Sequence, residues 1–324
     1  DNKPFKPRHS LPISLDGIKK DDFAMIMGNP GSTDRYLSSW GVEMAIRETN
    51  PTRVKIRAEK LRIMDEGMEK SAAVRLKYAS KYAGVSNYWK YFIGQTRGLK
   101  RLDVVEKKQM IEKKFYEKIS SDPALKLQYG EALPLISNAY KTMSGYNLSR
   151  WYMAEAIYQG SEILTIANRF SKLAELLSAK AADNDASNKE ITRLKENFND
   201  WYKNYDRGID QALLTRMLEM YYNDVPEQQQ PEMLHKMVAG AKGNFSVLAG
   251  SIFEKSIFGN AEKVEAFLAA PKAKTLAKDP ALMLMKAFNE QNKVLQEATQ
   301  KAGEDLKRGN RIFVAGMRAM YPER

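Results

Sequence analysis

From Asp34 to its C-terminus this 324-residue chain repeats apolar side chains at spacings of three and four, the period that lays one stripe along an α-helix. A chain so patterned is predicted to be mostly α, a multi-helix domain whose successive helices, joined by short loops, pack largely antiparallel. Asn50-Pro51 opens a long helix, because proline is favoured at the first helical position; Val54, Ile56, Leu61, Met64 and, beyond Gly67, Val74 mark its buried side. Residues 101–120 form another, with Leu102, Val105, Met110 and Ile111 apolar and lysines opposite. Further helices are expected over 131–143, 148–158, 162–182, 189–222, 231–239, 244–255, 261–269 and 280–308. Turn signals separate them: Ser144-Gly145, Gln159-Gly160, Asp183-Asn-Asp185, Pro226, Gly240, Gly259-Asn260 and Asp279-Pro280.

Residues 1–33 read differently. Pro4, Pro7 and Pro12 lie in an extended stretch, Leu11-Pro-Ile-Ser-Leu15 alternates like an edge strand, and Asp16-Gly17 is a turn signal. Phe23-Ala-Met-Ile-Met27 has the look of a buried strand, after which Gly28-Asn-Pro-Gly-Ser-Thr33 turns the chain and Ser32 or Thr33 caps a helix beginning near Asp34. A short β segment, a hairpin or one to two strands, is therefore expected at the N-terminus. An isolated hairpin is barely stable in water, so its partners are expected outside this sequence.

Apolar residues make up 43% of the chain and charged residues 28%, with only 12 prolines, which excludes a disordered or fibrous class. No apolar run approaches the ~20 residues of a membrane-spanning helix, so no membrane span is expected. With no cysteine there is neither disulfide nor thiolate chemistry. The net charge of +12 is uneven: between Thr52 and Lys118, 18 Lys and Arg stand against 8 Asp and Glu. Such a surplus makes either a solvated helix face or, if this is a stand-alone basic helical interaction module, a surface for acidic protein or nucleic acid. No block of five or more basic residues and no nucleic-acid motif accompanies it, so a nucleic-acid partner is not expected.

The usual chemical constellations are missing. Gly28–Thr33 lacks the Gly-Lys-Ser/Thr ending of a phosphate cradle, and Pro30 removes one of the amides that would line it. Histidine occurs only as His9 and His235, in no metal-ligand spacing, so neither metal nor cofactor is expected. No Gly-x-Ser-x-Gly elbow occurs; Leu248-Ala-Gly-Ser251 comes closest, and Ser251 reads as a cap or helix-surface serine. The residues alone assemble no nucleophile, base and orienting acid.

One stretch stands out, Lys77-Tyr-Ala-Ser-Lys-Tyr-Ala-Gly-Val-Ser-Asn-Tyr-Trp-Lys-Tyr91. Val74, Tyr78 and Tyr82 keep helical spacing up to Gly84, which is placed to close the helix; Ser86 or Asn87 then caps the next. Asn87 would thus sit beside free backbone donors and the rings of Tyr88 and Trp89, a place to hold a small polar group. Tyr88, Trp89, Tyr91 and Phe92 either line the mouth of such a site or form core.

Together with Asp22-Phe-Ala-Met-Ile-Met-Gly-Asn-Pro-Gly-Ser-Thr-Asp-Arg-Tyr36, the Tyr-Ala-x-x-x-Asn-x-Trp-Lys pattern resembles the bacterial dipeptidyl-peptidase 7 and dipeptidyl-peptidase 11 family. These are serine exopeptidases with a chymotrypsin-like double barrel and a helical domain inserted between the barrels. The resemblance implies that residues 1–33 are a remnant of the first β-barrel, that 34–324 are the helical lid, and that the His, Asp and Ser of the triad lie outside this chain. It implies flanking barrel domains, an oligopeptide substrate with a free N-terminus, a homodimeric parent and export to the periplasm or cell surface. It also gives Asn87 a role, hydrogen-bonding the substrate's α-amino group, against the alternative that Asn87 merely caps a helix.

Overall fold

The computed structural model describes residues 3–25, 28, 36–179 and 184–321. Two compact units divide the chain, Asp1–Leu37 and Ser38–Arg324.

The first unit contains no strand among its described residues. Residues 3–25 run extended with small turns, one closed by Asp22, whose carboxylate accepts from Lys19 N at 2.7 Å. Leu11, Ile13, Leu15, Ile18 and Phe23 are all at least 85% exposed. The expected β segment is therefore not formed here, because a ladder needs a neighbouring strand to receive its amides and carbonyls, and none lies within these residues. The expected turn over 29–33 and its capping serine or threonine lie outside the described residues.

The regular structure of the second unit is helical among its described residues. Its elements are α1 (Ser39–Met44), α2 (Asn50–Lys70), α3 (Ala72–Arg101), α4 (Val104–Ser120), α5 (Pro123–Tyr129), α6 (Ala132–Tyr152), α7 (Glu162–Arg169) and α8 (Ser171–Ser178). Then follow α9 (Asn184–Lys203), α10 (Arg207–Asp224), α11 (Glu232–Gly240), α12 (Phe245–Lys255), α13 (Ala261–Ala269), α14 (Ala273–Ala277) and α15 (Pro280–Met320). Two π-helical turns, Ala45–Thr49 and Met153–Tyr158, extend α1 into α2 and lengthen α6. As expected, α2 opens at Asn50, and the first π turn leads directly into it at Pro51. The Pro51 ring would strike the carbonyl four residues back, and the wider turn, with Asn50 N bonded to Ala45 O, carries the helix past it.

Several boundaries differ from expectation. The first described helix begins at Ser39, capped by Ser38, rather than near Asp34. Gly84 closes nothing: α3 runs unbroken through it, and the true interruption is Ser71, extended at φ −156° and ψ 126°, whose hydroxyl accepts from Val74 N. Ser144-Gly145 likewise lies inside α6, whereas the helices expected over 162–182 and 189–222 are each broken in two, the second by Asp206 capping α10. On α4 the buried side is Glu112, Phe115 and Ile119, while Met110 and Ile111 are exposed. Glu112 is buried because it receives Ser39 N at 2.7 Å and the Ser39 hydroxyl at 2.5 Å, holding the start of α1.

The main core gathers Met153, Leu164, Phe170, Leu214, Met217, Tyr221, Phe253, Phe258, Leu282 and Phe288. The paired aromatics serve as anchors: Tyr152 and Tyr221 meet edge to face at 6.4 Å, and Tyr202 donates to Phe258 O at 2.7 Å. A smaller cluster of Ile63, Met64, Met68, Tyr78, Ile209 and Leu213 binds α2, α3 and α10. With one residue between them, α2 and α3 form an antiparallel hairpin, Asn50 meeting Gln95 and Arg57 meeting Val85.

Candidate functional site

On α3, Gly84, Asn87, Tyr88, Tyr91 and Gly94 are exposed and spaced to share one helix face. Asn87 is exposed and its side chain has no hydrogen-bond partner among the described residues. It lies in mid-helix and caps nothing, so the capping alternative does not hold.

The two rings beside it are half-exposed, Tyr88 at 53% and Tyr91 at 51%, yet neither is loose. The Tyr91 hydroxyl accepts from Gln95 Nε2 at 2.8 Å, and Gln95 in turn accepts from Asn50 Nδ2 at 2.9 Å. Asn50 also donates to the Thr96 hydroxyl at 3.1 Å and is itself buried. Tyr88 packs on buried Phe92, centroids 6.1 Å apart, and lies 5.4 Å from the Arg57 guanidinium. The aromatic quartet therefore divides: Phe92 is core, and Tyr88 and Tyr91 stay half-exposed on the helix face that carries Asn87. Trp89 is partly buried, and its indole N–H has no partner among the described residues.

Beneath this face is a buried charge cluster. Glu155, 1% exposed in the second π turn, accepts from Arg53 Nε at 2.8 Å and Arg57 Nη2 at 2.9 Å. The Arg53 guanidinium is clamped between Phe92, 3.8 Å away, and Trp151, 4.1 Å away. Lys60 donates to the carbonyls of Glu155, at 3.5 Å, and Gln159, neutralising the end of that turn. Burial pulls the Lys60 amine down to about 8 despite Glu155 nearby. A neighbouring cavity of about 280 Å³, lined by Lys60, Tyr78, Lys81 and Glu162, holds a second set of internal bonds. There the Tyr78 hydroxyl donates to Glu162 at 2.6 Å and Lys81 pairs with the same carboxylate at 2.7 Å.

These contacts account for much of the basic surplus. Arg53, Lys55, Arg57, Arg62 and Lys81 are paired with carboxylates, and Lys60 and Lys77 are spent on carbonyls. The cluster was missed in the sequence because arginines on a helix read as solvated. The signal that could have found it is Glu155, a lone carboxylate within Trp151-Tyr-Met-Ala-Glu-Ala-Ile-Tyr158.

The other polar candidates are not gathered near α3's open face by any hydrogen bond. His9 is exposed in the extended unit, His235 packs on the Tyr222 ring within α11, and Ser251 lies inside α12. No helix among the described residues is long and apolar enough to cross a membrane.

Over its whole length, residues 1–324, the chain matches the model of the family described as Peptidase S46. It is 35% identical to dipeptidyl-peptidase 7 of Porphyromonas gingivalis, covering 100% of this chain and 44% of that protein. Against an Asp/Glu-specific dipeptidyl-peptidase of Flavobacterium psychrophilum it is 31% identical, covering 97% of this chain and 45% of the relative. The fold is similar to a crystal structure of Porphyromonas endodontalis DPP11 in complex with the dipeptide Arg-Glu, with a TM-score of 0.74 and 21% identity. That similarity covers 91% of this chain and 42% of the other. The chain thus spans less than half the length of the relatives it matches, and it belongs to the peptidase S46 family.

Proposed function

We propose that this chain is the helical, cleft-covering part of a serine-type dipeptidyl aminopeptidase, and that the Asn87 amide receives the α-amino group of the substrate peptide. The observation that carries this reading is the amide itself: exposed, without a hydrogen-bond partner among the described residues, and on a helix face shared with two half-exposed rings that Gln95 and Arg57 contact. An amide carbonyl accepts from an ammonium without adding a buried charge. Fixed one dipeptide away from a nucleophile, such an acceptor makes the enzyme a ruler, since only a chain end places its ammonium there. Tyr88 and Tyr91 exclude water around the contact and so strengthen it. The dipeptidyl-peptidase names of the relatives support the same substrate class.

In this proposal residues 1–33 complete the first β-barrel of the whole protein, where Leu11, Ile13 and Leu15 find the neighbouring strand and cover that this chain lacks. Residues 34–324 form the lid. The triad residues belong to the flanking barrels, and the parent is an exported homodimer of the periplasm or cell surface. Because the side chain that would choose between acidic and hydrophobic residues at the second position belongs to a barrel, that preference is not assigned.

The test is Asn87→Ala in a protein of the relatives' full length. Loss of a charge-assisted hydrogen bond of ~1.5 to 3 kcal/mol should lower kcat/KM for dipeptidyl substrates by roughly ten- to a hundredfold. Unchanged kinetics would remove Asn87 from the site.

A further inference from the structure

The open face of α3 is set by what pushes it from below. Arg57 reaches α3 twice: its guanidinium lies 5.4 Å from the Tyr88 ring, and Nη1 donates to Val85 O at 3.4 Å, two residues before Asn87. Arg53 reaches it through Phe92 at 3.8 Å, five residues beyond Asn87. Both arginines are collected by one carboxylate, Glu155, which comes from neither α2 nor α3 but from the π turn that follows α6.

From these contacts we infer that Glu155 is a positioning residue: by drawing Arg53 and Arg57 together it fixes the depth and rotation of α3, and thereby where the Asn87 amide and the Tyr88 ring stand. The inference rests on the proposed role of Asn87. Two features speak for position rather than stability. Burying one carboxylate among Arg53, Arg57 and Lys60 costs desolvation of every charge, and apolar packing of the same volume is generally no less stable. A π turn is itself strained relative to α-helix, and here it is the turn that carries the Glu155 side chain. A guanidinium is also the group suited to the task, since its planar face lies on a ring while its edge meets the carboxylate.

The experiment uses the full-length enzyme, a dipeptidyl-p-nitroanilide substrate and a temperature well below each variant's Tm. Glu155→Gln, Asn87→Ala and the double variant are compared. Glu155→Gln is expected to raise KM about tenfold with a smaller change in kcat, and to add nothing once Asn87 is already alanine. A general weakening of the fold would instead act equally with and without Asn87, and that result, or an unchanged KM, would overturn the inference. Asn87→Ala alone reports separately on the reading beneath it: if that variant is silent, the proposed amine site fails, whereas if it raises KM and Glu155→Gln does not, only the positioning role fails. Should Glu155→Gln not fold, Arg57→Lys reads the same coupling, because it keeps the buried charge while withdrawing the planar group from Val85 O and Tyr88.

Discussion

Asp210 shows how a single carboxyl can carry both a cap and a cost. It is fully buried on α10, and its two oxygens accept from the Ser161 hydroxyl at 2.7 Å, Glu162 N at 2.5 Å and Ile163 N at 2.8 Å, closing the start of α7. Burial pushes its carboxyl from 3.8 up to about 7, helped by the charge of Glu162 and opposed by those three hydrogen bonds. The folded chain therefore holds a proton that the unfolded chain releases near pH 4. Stability from this group is fully present below pH 4 and falls as pH rises toward 7, by up to a few kcal/mol at ~1.4 kcal/mol per pH unit. Burial raises the Glu59 carboxyl, but hydrogen bonds from Arg216 and Arg62 outweigh it, and the Arg193 hydrogen bond holds Glu190 low against burial; both carboxyls act in the opposite sense and lose their contribution as pH falls. A comparison isolates the term: the Tm advantage of the wild type over Asp210→Asn should shrink between pH 4.5 and pH 7.5. An advantage constant with pH would mean that Asp210 is ionised throughout. The rings at the site are governed by the same accounting of partners. Tyr91 stands because Gln95 and Asn50 hold it, and Asn87 is free because nothing does.

The helices were legible in the sequence and their ends often were not, and α3 shows why. The spacing of Val74, Tyr78 and Tyr82 announces a helix whatever follows, but Gly84 is read as a stop only on local grounds. Whether a glycine stops a helix depends on what takes up the last carbonyls. Here the underside of α3 is held by α2 on both sides of that residue, through Tyr78 and Phe92, so the helix continues. The α3 backbone keeps no positive φ at Gly84, and a Cβ there would meet nothing within 4 Å. Gly84→Ala should therefore stabilise the protein by ~0.5 to 1 kcal/mol, read as a rise in Tm or in denaturant midpoint. A fall would restore the break at that position. Gly316 on α15 predicts the contrary. Its Cβ would lie 2.6 Å from Phe115 Cε2 and 3.1 Å from Tyr129 Cγ, rings held in a packed cluster, so Gly316→Ala should cost roughly 1 to 3 kcal/mol. The candidate site was legible by half. Asn87 stood out through a resemblance, whereas Glu155, Arg53 and Arg57 acquire meaning only when a π turn, unsigned in the sequence, brings three segments together.

The two units of the chain have opposite surface economies. Every buried apolar residue among those described lies at Val42 or beyond, so the core of Ser38–Arg324 is complete without the first unit. The first unit, by contrast, exposes Phe5, Leu11, Ile13, Leu15, Ile18 and Phe23, each at least 85%. Large apolar side chains so exposed on an extended segment mark a surface suited to being covered, and an extended segment invites pairing with another strand. Removing residues 1–37 should leave the Tm within roughly two degrees, because no core is lost with them, while curbing concentration-dependent association in light scattering. A large fall in Tm would show that the helices lean on that segment. In the proposed lid role the helices shape a cleft and receive an ammonium, whereas bond cleavage needs a nucleophile, a base and an oxyanion site in one place. Neither the full chain nor its Ser38–Arg324 part should release p-nitroaniline from any dipeptidyl reporter. Turnover that co-purifies with the chain through removal of contaminating proteases, and that resists Asn87→Ala, would place the chemistry inside these helices and overturn the lid.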